Sequence, residues 1–139
     1  MDALTLALAE RLARSAHSGQ KDKAGAPYIH HVARVVQGVG ADLDLQAVAW
    51  LHDVLEDTPM QPGDLVAAGI PVPIVEAVTL LTRGPERYKE YIEELFRTQH
   101  PLAVPVKMAD LRDHLRADSP YVLPSSARRR YQRALDRLS

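Results

Sequence analysis

The sequence predicts an all-α protein, and three observations carry that reading. Apolar residues recur at helical spacing in segment after segment, no stretch alternates as a half-buried strand would, and helix-stopping glycines and prolines fall between the periodic segments. The first helix is read from Leu4, Ala7, Leu8, Leu12, Ala13 and Ala16, and ends near Ser18-Gly19, where glycine suits a C-terminal cap. A polar loop, "QKDKAGAP", closes at Pro27. A second helix then runs from Tyr28 to about Val39 with Ile29, Val32, Val35 and Val36 inward. Asp44 reads as the N-cap of a third helix from Leu45 to about Asp57, stopped by Thr58-Pro59. A short helix from Gly63 to Ala68 follows, then Val72 to about Leu81, Glu86 to Thr98, Leu102 to about Leu115, and Ser125 to Leu138. The briefly β-branched "IPVPIVEAV" carries two prolines, which a central strand would not tolerate. The expectation is one helical bundle of about seven to eight helices, a single domain over 1–139, with no repeat.

Composition narrows the function. The chain has 139 residues, 46% of them hydrophobic, enough for a core that needs no staple. It contains no cysteine, so disulfides and thiolate metal sites are excluded. The N-terminal "MDALTLALAERLARSAHSGQ" is interrupted by Asp2 and Glu10 and is not read as a signal segment, and no run reaches membrane-spanning length. A cytoplasmic protein is expected, with no membrane partner. A net charge of −1 argues against a general nucleic-acid binder. A homo-oligomer is compatible with the sequence.

The segment "WLHDVLEDTP", 50–59, then demands an explanation. His52, Asp53, Glu56 and Asp57 end a run otherwise built to be buried, and burying ionised groups costs several kcal/mol each unless they pair or bind a metal. On one continuous helix His52 would stack over Glu56 and Asp53 over Asp57. Glu56 and Asp57 would also face the unfavourable end of the helix dipole, a cost a cation offsets. His31, after the helix start at Pro27-Tyr28-Ile29, and Asp110, inside the apolar "VPVKMADLRDHL", supply matching groups from other helices. Two histidines and two carboxylates make a mixed N/O site with open positions, suited to manganese, iron or zinc. Lys21, Lys23, Lys107 and Arg112 are candidate phosphate contacts, and Tyr28 a candidate to stack on a base.

"GAPYIHH", "LHDVLEDT" and "VKMADLRDHL", in this order, resemble the HD-domain metal-dependent phosphohydrolases, and among them the RelA/SpoT-type alarmone hydrolases and their small single-domain relatives. The resemblance runs from about His17 to Leu115. It implies an all-α fold and one divalent ion, manganese by family habit, held by His31, His52, Asp53 and Asp110. Glu56 and Asp57 match the pair that handles the attacking water, and the implied reaction is hydrolysis of the 3′-pyrophosphate of guanosine tetra- or pentaphosphate. Lys23 and Lys107 keep family positions. Asp22 falls where the family carries a loop arginine that contacts the base, His114 where it carries an asparagine, and Val32 where it carries a proline. The carboxylate at Asp22 is expected to weaken the hold on guanine nucleotides. The alternatives are an HD hydrolase acting on another nucleotide or phosphorylated metabolite, and a non-catalytic domain that binds a nucleotide or partner.

Overall fold

A computed structural model describes residues 3–139. Asp2, named above in the reading of the N-terminal segment, lies outside the described residues. Among the described residues, nine helical segments follow one another: α1 (Ala3–Ala16), α2 (Ile29–Gly38), α3 (Leu43–Leu51), α4 (Val54–Asp57), α5 (Pro62–Ala67), α6 (Val72–Leu81), α7 (Tyr88–Thr98), α8 (Ala103–Leu115) and α9 (Ser125–Leu138). There is no strand among them, only an isolated antiparallel bridge between Lys21 and Pro27 that pins the loop before α2. No helix among the described residues is long and apolar enough to cross a membrane. The all-α expectation holds. Since α3 and α4 are two parts of one interrupted helix, the described bundle has eight.

The centre of the molecule is α3. Its consecutive residues Ala47, Val48, Ala49, Trp50 and Leu51 are all buried, and a helix apolar all round must be surrounded. It is: α1, α2, α6 and α8 pack against it. On the far side α8 also meets α2, α7 and α9. Gly38, at the end of α2, lets α8 come close, since a Cβ there would lie 3.2 Å from the Cβ of Ala109. Arg137 in α9 ties to Glu93 in α7 at 2.8 Å and lies 3.7 Å over the ring of Phe96.

Two local expectations are corrected. The N-cap of α3 is Asp42, whose carboxylate accepts from the N–H of Leu45 at 3.0 Å, and not Asp44. Its extended backbone (φ −69°, ψ 121°) starts the helix earlier than expected. More consequential, the third helix does not run unbroken to Asp57. His52 turns its own Nδ1 to the carbonyl of Ala49 at 2.7 Å, an acceptor that a continuing α-helix would offer to the N–H of residue 53. The side chain displaces the backbone, and Asp53 sits at φ −107°, ψ 0°, in the bridge region where active-site residues often occur. Helical bonding resumes at once, from Asp57 N–H to Asp53 O at 2.9 Å. His100, to which the sequence assigns no role, accepts the N–H groups of Leu102 and Ala103 through Nδ1 and so caps α8.

Leu51 is fully buried immediately before this break. Leu51→Ala removes a well-packed side chain and leaves a cavity, so unfolding in urea should show a loss of about 2–5 kcal/mol. A loss below about 1 kcal/mol would contradict the central place given to α3.

Candidate active site

Three neighbouring helices and one break converge on a single point. His31 comes from the first turn of α2, Asp110 from the middle of α8, and His52 and Asp53 from the junction between α3 and α4. One nitrogen or oxygen of each lies within 4.8 Å of all the others. His31 Nε2 is 3.0 Å from Asp110 Oδ1 and 3.7 Å from Asp53 Oδ2. His52 Nε2 is 3.0 Å from Asp53 Oδ2 and 3.4 Å from Asp110 Oδ1. Both histidines and Asp110 are buried.

The tautomers follow from the other ring nitrogens. His52 Nδ1 donates to the Ala49 carbonyl, and His31 Nδ1 donates to Asp113 Oδ2 at 2.6 Å. In the neutral rings both Nε2 atoms therefore present lone pairs to carboxylate oxygens, an arrangement that repels itself without a positive charge between them. Consistently, His31 Nε2, His52 Nε2 and Asp110 Oδ1 are buried with no hydrogen-bond partner, a cost of about 1–3 kcal/mol for each such group. The residues fit a divalent ion. The crowding of like groups also shows in the proton affinities. Burial opposes charge on His31, yet the nearby carboxylates of Asp110 and Asp113 carry its pKa up to about 9. His52 is likewise raised well above the ordinary imidazole value against its burial, first by Asp53. Asp53 and Asp110 are held below the usual carboxylate range despite burial, Asp53 first by His52 and Asp110 first by Lys107.

Around this centre lies a ring of supporting groups. Asp113, one turn beyond Asp110, holds His31 Nδ1 and also accepts from Arg34 Nε at 2.7 Å and from Arg116 at 3.2 Å. Burial would raise its pKa, but the bonds to His31 and Arg34 bring it down to about 2. The hydroxyl of Tyr28 donates to Asp53 Oδ2. Lys107 Nζ lies 3.0 Å from Asp110 Oδ2 and faces the rings of Tyr91 and Tyr88 at 5.2 and 5.7 Å. Gln20 donates to the backbone carbonyl of Asp57 at 2.9 Å and accepts from His17 Nδ1 at 2.8 Å, tying the loop before α2 to α4.

Two cavities open from the cluster and share His114 and Tyr131, whose rings stack at 5.3 Å. The larger, about 350 Å³, has His31, Tyr28 and Tyr121 in its walls together with Lys21, Lys23, Arg34 and Arg116. The smaller, about 230 Å³, holds Asp53, Asp110 and Glu56 against Lys107, Arg83 and Arg130. Glu56 is fixed there by the backbone N–H of Arg83 at 2.7 Å. Both cavities are rich in cations, as an anionic ligand requires.

The structure thus brings together His31, His52, Asp53 and Asp110, and sets Lys21, Lys23, Tyr28, Lys107, His114 and Glu56 around them. His114 Nε2 is 3.3 Å from Asp110 Oδ1. Asp57 lines neither cavity, although burial, then the charges of Asp53 and Glu56, raise its carboxyl to about 6. Arg112 is a correction: it is exposed and lines neither cavity, because two residues along a helix from Asp110 is nearly the opposite face. The stacking of His52 over Glu56 on one continuous helix is corrected too, since the helix breaks at His52, whereas Asp53 and Asp57 stay joined by a helical backbone bond. Asp22, expected to weaken the hold on guanine nucleotides, also shapes the loop, because its Oδ1 accepts the N–H groups of Ala24 and Ala26, both at 2.9 Å. Sequence reasoning missed Asp113 and Arg34, though each follows a candidate ligand by one helical turn. It also missed Arg116, Arg130 and Tyr131, and the place of Arg83 at the smaller cavity; these arrive by tertiary packing, and no local pattern marks them.

Asp113→Asn keeps the shape of the side chain but weakens its hold on the His31 ring. Affinity for a divalent ion, followed by calorimetric titration, should fall roughly 10–100-fold with helical content unchanged. Unaltered affinity would mean that Asp113 only braces Arg34 and Arg116.

No protein-family model matches the chain. It is 33% identical over 118 residues, 76% of its length, to the guanosine-3′,5′-bis(diphosphate) 3′-pyrophosphohydrolase of Haemophilus influenzae, of which the match covers 17%. A protein of the same description from Vibrio cholerae is 44% identical over 59 residues, covering 40% of this chain and 8% of that one. The bifunctional (p)ppGpp synthase/hydrolase SpoT of Escherichia coli K12 is 42% identical over 57 residues, 39% of this chain and 8% of that one. The matches span less than a fifth of these relatives. Among solved structures, one described as a metazoan ortholog of SpoT that hydrolyzes ppGpp superposes with a TM-score of 0.77 at 22% identity, covering 99% of this chain and 85% of that one, and shares its helical fold. By sequence over most of its length and by fold over nearly all of it, the chain is a relative of the RelA/SpoT-type (p)ppGpp 3′-pyrophosphohydrolases.

Proposed function

We propose that the chain is a metal-dependent phosphohydrolase, a single HD-type domain that removes the 3′-pyrophosphate of guanosine tetra- or pentaphosphate. The observation that carries this reading is the buried meeting of two imidazole Nε2 atoms and two carboxylates beside cation-lined cavities. The names of the relatives supply the substrate, and they favour it over another metabolite or a purely binding role.

His31, His52, Asp53 and Asp110 would hold the ion, for which manganese is the family's habit. Such an ion supplies Lewis-acid polarisation and lowers the pKa of water at neutral pH. The chain supplies the rest. Asp113 and the Ala49 carbonyl fix the two imidazoles so that neither ring can turn away. Glu56, anchored on Arg83 and facing the smaller cavity, takes the proton of the attacking water, and Asp57 beside it shares the handling of protons. Lys107, Arg83 and Arg130 face the same cavity and neutralise the charge that gathers on the departing pyrophosphate. Lys21, Lys23, Arg34 and Arg116 line the larger cavity, where the remaining phosphates and the nucleoside are held.

The test is turnover of guanosine tetraphosphate with manganese present and then chelated. Activity should require the ion, and Asp53→Ala should lose both ion and activity. Glu56→Gln should lower kcat roughly 10²–10⁴-fold while metal content stays at the parent value. Loss of the ion in Glu56→Gln would make Glu56 a ligand and overturn the division of roles.

A further inference from the structure

We propose that Asp22 is a specificity-determining residue that selects a guanine base by accepting hydrogen bonds from its Watson–Crick edge. This rests on the nucleotide reading above and deepens it.

The two oxygens of the Asp22 carboxylate are not equivalent. Oδ1 is committed to the loop through the N–H groups of Ala24 and Ala26. The turn is closed further by the Asp22 N–H to the Ala26 carbonyl at 2.8 Å and the Gly25 N–H to the Asp22 carbonyl at 3.0 Å. Oδ2 accepts no hydrogen bond among the described residues, while Asp22 itself lines the larger cavity. A held carboxylate with one free oxygen, set in a pocket wall, is a fixed acceptor.

The surroundings say what it accepts from. The same cavity carries the rings of Tyr28 and Tyr121, aromatic surface against which a flat group can pack. Lys21, Lys23, Arg34 and Arg116 leave the pocket cationic in spite of Asp22, so a phosphorylated ligand is still attracted. His31 stands in the wall beside the metal cluster, which places the reacting phosphate at that side and leaves the loop wall for the base. A carboxylate only accepts. Guanine offers two adjacent donors, N1–H and the 2-amino group. Adenine offers one donor beside a lone pair at N1, which a carboxylate repels. The edge that matches Asp22 is guanine's.

Asp22→Asn gives a controlled reversal. The Asn Oδ1 must keep the Ala24 and Ala26 N–H groups, so its amide nitrogen falls at the position of Oδ2, and an acceptor becomes a donor with the loop unchanged. The 3′,5′-bis(diphosphates) of guanosine, inosine and xanthosine form the panel; inosine lacks the 2-amino group and xanthosine carries a carbonyl there. The parent should prefer guanosine. Asp22→Asn should bind it roughly 10–100-fold more weakly, with the change in KM, and should gain affinity for xanthosine. Equilibrium binding is measured in parallel in the Glu56→Gln background with the ion present, so that the base preference is read without turnover. A preference for guanosine in binding together with no hydrolysis by the parent would leave Asp22 as the selector and remove the hydrolase reading. An order of preference that is the same for parent and Asp22→Asn would overturn the inference, as would an equal loss for all three bases, which is the signature of a loop that has merely opened. Absence of binding to any of the three would overturn it as well.

Discussion

Everything at the centre of this molecule depends on two imidazole nitrogens and two carboxylate oxygens that are forced together in a largely buried site. Left neutral, the Nε2 lone pairs of His31 and His52 repel the oxygens of Asp53 and Asp110. Relief comes from a cation between them or from protons on the rings, and the proton affinities of both histidines are raised accordingly. The rest of the bundle serves to keep these groups from separating. The fully apolar α3 anchors His52, the close approach of α2 to α8 at Gly38 sets His31 beside Asp110, and Asp113 prevents the His31 ring from rotating.

A second constraint is the break between α3 and α4. An unbroken helix would satisfy its own backbone, and Asp53 would stay in register one residue beyond His52. The imidazole instead takes the Ala49 carbonyl. That one side-chain bond both fixes the tautomer and turns Asp53 toward the same point as His52. Local backbone regularity is given up where the chemistry needs adjacent side chains to converge, the usual location for such departures.

The fold was largely legible because helical periodicity is a local signal. The boundaries of α6, α8 and α9 lie within a residue of those read from the sequence. Errors fell where a side chain competes with the backbone: the break at His52, and the cap at Asp42 in place of Asp44. The grouping of His31, His52, Asp53 and Asp110 was legible because ionisable residues inside apolar segments need a partner, and the order of the motifs indicated which residues would meet. Arg112 was misplaced for want of a helical phase taken from Asp110, the same phase that would have found Asp113. Arg130 and Tyr131 could not be seen at all, since only the packing of α9 on α7 and α8 brings them to the cavity. Asp22 was read by its charge alone, and its hold on the Ala24 and Ala26 N–H groups is a matter of loop geometry that charge does not reveal.

The loop before α2 is fastened to the α3–α4 break at two points, by Gln20 on the Asp57 carbonyl and by the Tyr28 hydroxyl on Asp53. It therefore behaves less as a variable surface loop than as one half of a clasp. An insertion between the two fasteners would pull on a candidate ligand. The interior of the block, from Lys21 to Ala26, is held at fixed length by the turn that Asp22 closes on Ala24 and Ala26.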